Sequence, residues 1–194
     1  IDEGRARFAV DLAGGGAWTL YLEVGSSPVR PDRGRFRQAA AQARRRMRTR
    51  LRRGASLQAS SRLFQSWLDK SRADLSLLTT DMPGGPYPYA GVPWFSTPFG
   101  RDAIITALQT LWLDPALARG VLAFLASSQA RDTSTFRDAE PGKIMHETRK
   151  GEMAAVNELP FGQYYGGVDT TPLFVMLAGA YTERTNDRAF IDTL

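Results

Sequence analysis

Apolar and polar residues alternate in two short runs near the start of the chain, and after residue 55 apolar residues recur at helical spacing. Phe8, Val10 and Leu12 share one side of residues 6–12, and Trp18, Leu20, Leu22 and Val24 share one side of residues 17–24. Alternation of this kind marks a half-buried strand, and Gly14-Gly-Gly16 between the runs predicts a β-hairpin. Two strands alone are marginal, so the pattern predicts a larger sheet upstream. Residues 25–31 read as a linker. Residues 35–53 favour helix by propensity but hold few apolar side chains, which predicts an exposed helix stopped by Gly54. Ser60 to about Leu78 is more amphipathic, with Leu63, Phe64, Trp67, Leu68, Leu75 and Leu78 near helical spacing. Five prolines (83, 86, 88, 93 and 98) make residues 81–100 a long loop, and such loops are usually functional. A helix is expected over 101–113. Asp114 as N-cap and Pro115 at the first helical position start the next, over 116–130. Irregular chain follows to residue 168, then an apolar helix over 169–181, and Asn186-Asp187 opens another. No strand is expected after residue 55. Helix, loop and helix in succession predict an α/α hairpin array with its loops gathered at one end.

The net charge of +5 hides a local imbalance. Residues 30–53 hold eleven arginines against Asp32, a segment charge of +10 that leaves −5 for the rest of the chain. A nucleic-acid reading of the whole protein therefore has no basis in its overall charge. Clustered arginines can still bind phosphates without reading sequence, while a solvated linker helix that packs its alkyl stems on a neighbour is the blander reading and is preferred. There is no cysteine, so disulfides and thiolate chemistry are excluded, and one histidine, His146, excludes a histidine-rich metal centre. No metal or organic cofactor is expected. No apolar run reaches the roughly 20 residues of a membrane helix. The sequence starts at Ile1 and ends within a predicted helix, and reads as a piece of a longer protein.

The candidate chemistry sits in two aromatic loops. The first, Tyr89 to Asp102, carries Trp94, Phe95 and Phe99 and ends in Arg101-Asp102 at the mouth of a helix. The second, Tyr164-Tyr-Gly-Gly-Val-Asp169, also precedes an apolar helix. Flat apolar faces beside charged groups suit a sugar. Each residue has a second reading. Asp169 can be a plain N-cap, Arg101-Asp102 a structural ion pair, Trp94 and Phe95 core, and His146 a structural hydrogen-bonding group. Glu147 and Arg149 can be solvated charges, and Glu152 is read as one. Gly14-Gly-Gly16 lacks the Lys-Ser/Thr of a phosphate loop and reads as a turn. No Ser or Cys motif supports a nucleophilic triad.

Three blocks in order resemble the amylo-α-1,6-glucosidase, glycogen-debranching-type glycoside hydrolases. They are Gly91-Val-Pro-Trp-Phe95 with Phe99-Gly-Arg-Asp102; Glu140-Pro-Gly-Lys-Ile-Met-His-Glu147 with Arg149, Gly151 and Glu152; and Gln163-Tyr-Tyr-Gly-Gly-Val-Asp169-Thr-Thr-Pro-Leu-Phe174. The resemblance covers about residues 55–194. It implies a mainly α chain: part of an (α/α)6 toroid over 59–194, an Arg-rich linker helix over 28–58, and over 1–27 the closing hairpin of an N-terminal β-sandwich domain. It implies an intracellular, cytoplasmic enzyme acting on an α-glucan or related α-glucoside, with an oligosaccharide or polysaccharide as its partner. Asp169 takes the place of the general acid. Arg101 and Asp102 resemble groups holding the sugar in the cleaved subsite, Trp94 and Phe95 its aromatic wall, and His146, Glu147 and Arg149 hydroxyl ligands. Tyr165, with Tyr164 and Phe174, is a candidate for excluding water and raising the acid's pKa, whereas a helix N-terminus favours the ionised form. Related toroid hydrolases invert, which needs a base roughly 6.5–9.5 Å from the acid. No block matches that base, so the chain alone is expected to be inactive. A carbohydrate-binding piece without catalysis is the alternative.

Overall fold

A computed structural model describes residues 6–25 and 29–194. The linker and the first domain boundary, read at residues 25–31, fall partly on residues 26–28, which lie outside the described residues, as do residues 1–5. The chain divides into two compact units, residues 1–46 and 47–194.

In the first unit the hairpin expected over 6–24 is corrected. Residues 6–24 join no strand pair, although the chain turns at Gly14-Gly15 with Gly16 N–H donating to the Ala13 carbonyl at 2.8 Å. Phe8 and Trp18 face each other at 5.5 Å across the turn. The alternating apolar side is uncovered, with Leu22 82% exposed. A two-stranded ribbon without a covered face lacks the burial that would hold its ladder. Helix α1, Arg33–Leu51, starts in this unit and ends in the second, and it buries no residue, as its composition predicts. Its start is tied by Asp32, which accepts from the Arg35 N–H at 2.8 Å.

The second unit holds the core. Helix α2, Arg62–Leu78, is capped by Ser61, whose hydroxyl accepts from the Phe64 N–H. Only Ser76 of α2 is buried, and the stripe of Leu63, Phe64 and Trp67 is exposed. The sequence-based loop over 81–100 is also corrected at its start. Strands β1 (Thr79–Met82) and β2 (Gly85–Pro88) pair antiparallel from Thr79↔Pro88 to Met82↔Gly85. Helices α3 (Gly100–Thr110) and α4 (Pro115–Ser127) form the expected hairpin. Asp114 caps α4 by accepting from the Ala116 N–H, with Pro115 in the first turn. A short helix α5 (Glu152–Ala155) and a 3₁₀ turn (Pro160–Gly162) precede α6 (Thr170–Thr185) and α7 (Arg188–Ile191). Asn186, in the left-handed region at φ 55°, ends α6, and Asp187 caps α7.

Helix α4 packs on β2, and α3, α4 and α6 pack on one another. Gly120 lets α4 meet β2: a Cβ there would lie 2.1 Å from the Pro86 carbonyl oxygen. Tyr87, Ile104, Leu122, Leu125, Met145 and Leu177 are fully buried between these elements. The unit is mainly helical. Among the described residues no helix is long and apolar enough to cross a membrane.

Candidate functional site

The three sequence blocks meet through Glu147. Its backbone bridges to Phe99 on one side and Tyr164 on the other. The Gly100 N–H donates to the His146 carbonyl at 2.7 Å, and the Thr148 N–H donates to the Pro98 carbonyl at 3.2 Å. Gly100 is required there, because a Cβ would lie 2.1 Å from the Met145 oxygen and 2.7 Å from Thr170 Cγ2. The N-termini of α3 and α6 therefore abut.

At that junction Arg101 Nη1 lies 3.4 Å from Asp169 Oδ2, with both side chains half exposed. Asp169 stands at the N-cap position of α6, yet its side chain accepts no capping hydrogen bond. The plain-cap reading of Asp169 thus lacks its defining contact, and its carboxylate turns to Arg101 instead. Asp102, one residue on, lines a cavity of about 260 Å³ with Leu75, Leu78, Pro88, Tyr89 and Ile105. Arg101 also lines that cavity, and Asp169 does not. The two aspartates thus stand at the abutting starts of α3 and α6.

Glu147 and Arg149 are not solvated surface charges. Glu147 is 7% exposed, and its carboxylate accepts from Arg149 Nε. A buried carboxylate needs such a partner. Arg149 also donates from Nη1 to the Trp94 carbonyl at 3.1 Å and lies 5.8 Å from the Phe99 ring centre. This pair fastens the Trp94 loop to the Glu147 segment, and the Thr97 hydroxyl adds a hydrogen bond to the Thr148 carbonyl. Trp94 is 77% exposed and borders a cavity of about 540 Å³ with Met82, Tyr89, Phe124, Arg149 and Lys150. Phe95, half exposed, packs edge-on against Phe99 at 5.9 Å.

His146 lies between Phe99 and Tyr164, near 6 Å from each ring. Its Nδ1 is buried without a hydrogen-bond partner, as is Thr170 Oγ1. Both atoms crowd Gly167, where a Cβ would lie 2.4 Å from Thr170 Oγ1 and 2.9 Å from His146 Nδ1. The Gly166-Gly167 pair thus lays the Asp169 loop flat on His146 and Tyr164.

Tyr165 is corrected. It is 2% exposed, and its hydroxyl donates to the Ser128 carbonyl at 2.8 Å. Burial raises its pKa, but it is a core residue and does not border the Trp94 cavity. Tyr164 is the half-buried member of the pair. Its hydroxyl donates to Asp138 at 2.7 Å, and that bond raises its pKa. Tyr87, read only as part of a loop, is fully buried, and its hydroxyl donates to the Phe99 carbonyl at 2.8 Å. Burial, then the charge of Asp102, pushes its pKa well up. Tyr89 and Lys150 were also missed, although both flank quoted motif residues. Tyr89 lines both the Trp94 and the Asp102 cavities.

No group of three or more His, Asp or Glu that could hold a metal ion occurs among the described residues. Compared with known proteins, the chain matches no family model and no curated protein.

Proposed function

We propose that this chain carries part of the active site of a glycoside hydrolase acting on α-glucans or related α-glucosides, of the amylo-α-1,6-glucosidase type, within an (α/α)6 toroid. The observation that supports this reading most is the convergence of the three blocks. Glu147 stitches Phe99 to Tyr164, and Arg101 reaches Asp169.

In this reading Asp169 is the general acid. It protonates the leaving oxygen while a second carboxylate activates water on the other side of the sugar. None of the described residues is assigned to that base. A carboxyl that keeps its proton near neutral pH needs desolvation or a neighbouring negative charge. In the structure as it stands Arg101 donates to the Asp169 carboxylate at 3.4 Å. The proposal therefore has Arg101 move to a sugar hydroxyl or to Asp102 when substrate enters. Trp94 offers the exposed aromatic face, and Arg149 holds its backbone carbonyl.

The test is hydrolysis of a branched α-glucan and of linear maltooligosaccharides by protein containing this chain, beside its Asp169→Asn variant. Release of glucose that depends on Asp169 supports the reading. Sugar binding without turnover, lost in Trp94→Ala, would leave the carbohydrate-binding alternative.

A further inference from the structure

The arginine-rich segment plays no part in the proposed active site, yet its end is built into the second unit. Arg50 and Arg53 meet Arg72 of α2 around a cavity of about 30 Å³ that Ser76, Thr79 and Asp114 also line. Two carboxylates answer the three guanidinium groups. Asp81 accepts from Arg50 Nη2 at 2.8 Å, and Asp114 accepts from Arg53 Nε at 2.6 Å. Arg72 donates instead to the Leu51 carbonyl at 2.6 Å. Among the described residues, one positive charge at the cavity is thus left without a counter-charge.

The polar side-chain atoms left over point the same way. Arg50 Nε and Ser76 Oγ are both buried with no hydrogen-bond partner, and Ser76 is 6% exposed. A guanidinium N–H can only donate, and a hydroxyl can donate. Each of the nearby acceptors already holds another donor. The Leu51 carbonyl takes Arg72, the Ser76 carbonyl takes Arg50, and the Leu113 carbonyl takes the Ala55 N–H. The two Asp114 oxygens take Arg53 and the Ala116 N–H. An occupant must therefore accept from two donors and balance a charge. A cavity of about 30 Å³ admits one water-sized species. A water there would meet the two donors but leave the charge unbalanced, and an anion does both.

We infer that this cavity binds a single halide-sized anion, chloride in physiological salt, held by Arg50 Nε, the Ser76 hydroxyl and Arg72. The anion fastens the Arg50–Arg53 turn to α2 and to the start of α4. Because it binds the folded chain and not the unfolded one, it stabilises by mass action.

The test is thermal unfolding of the full chain in sodium chloride and in sodium gluconate at one ionic strength. Gluconate is too large to enter. The midpoint is expected to rise saturably with chloride, by about 3–6 °C at ten times the dissociation constant, with bromide replacing chloride. Ser76→Ala and Arg72→Met should flatten that dependence. Should Arg72→Met fail to fold, Ser76→Ala decides, together with bromide-soaked crystals, which should show anomalous density in the cavity. Equal midpoints in the two salts, or an ordered water in the cavity at high chloride, overturn the inference.

Discussion

Replacing Gly100 by alanine tests the junction on which the site depends. The new Cβ would stand 2.1 Å from the Met145 oxygen and 2.7 Å from Thr170 Cγ2. The oxygen is backbone and cannot rotate away, so α3 must retreat from the Met145–Glu147 segment. Such overpacking costs about 1–3 kcal/mol. Retreat also stretches the bond from the Gly100 N–H to the His146 carbonyl, a further ~0.5–1.5 kcal/mol. Against this, Gly to Ala within a helix gains about 0.5–1 kcal/mol. The net expectation is a loss of about 0.5–4 kcal/mol. Gly179 of α6 supplies the control, because a Cβ there meets nothing within 4 Å. Gly179→Ala should stabilise by about 0.5–1 kcal/mol. Urea unfolding monitored by tryptophan fluorescence reads both, with unchanged slopes and midpoints moving in opposite directions. A Gly100→Ala chain as stable as Gly179→Ala would refute the tight three-block junction.

Two further substitutions probe the loop. Tyr87→Phe leaves the buried Phe99 carbonyl without its donor and should cost about 1–3 kcal/mol in the same assay. It should also change alkaline stability. The folded Tyr87 pKa lies above the ordinary value of 10.0, so its contribution is whole below about pH 10 and is lost as pH rises toward the folded pKa. Wild type should therefore lose stability above pH 10 more steeply than Tyr87→Phe. Trp94→Ala removes an exposed ring and should change stability by no more than about 0.5 kcal/mol. Its maltooligosaccharide affinity, by titration calorimetry, should fall at least tenfold. A large loss of stability with affinity intact would make Trp94 a packing residue.

Much of the helical order was legible because helices announce themselves locally. Asp114-Pro115 marked the start of α4, and Asn186-Asp187 marked the break before α7. The β1–β2 hairpin was hidden by Pro83, Pro86 and Pro88, since proline argues against a strand. The register explains the exception. The Tyr89 N–H bonds to the Leu78 carbonyl, so Tyr87 and Gly85 fall at hydrogen-bonded positions and both prolines at non-bonded ones. The residues 6–24 show the converse error, in which alternation was read correctly but no covering sheet lies on it among the described residues. At the site, sequence could place Asp169 beside a helix start. It could not show that Arg101 would reach it, or that Tyr165 would turn inward and Tyr164 outward. Those outcomes depend on contacts between residues far apart in the chain, which no local pattern encodes.

The most direct measurement of the central claim compares Asp169→Asn with wild type on two substrates, in protein containing this chain and a complete site. One is a natural α-glucan, and the other an aryl α-glucoside with a good leaving group. A general acid contributes roughly 10²–10⁴-fold, and the aryl substrate needs it least. The account predicts that kcat on the glucan falls by about that factor, that the aryl glucoside suffers far less, and that thermal stability hardly changes. Near wild-type rates on both substrates, or equal losses tracking a loss of fold, would contradict it and leave Asp169 as the structural partner of Arg101.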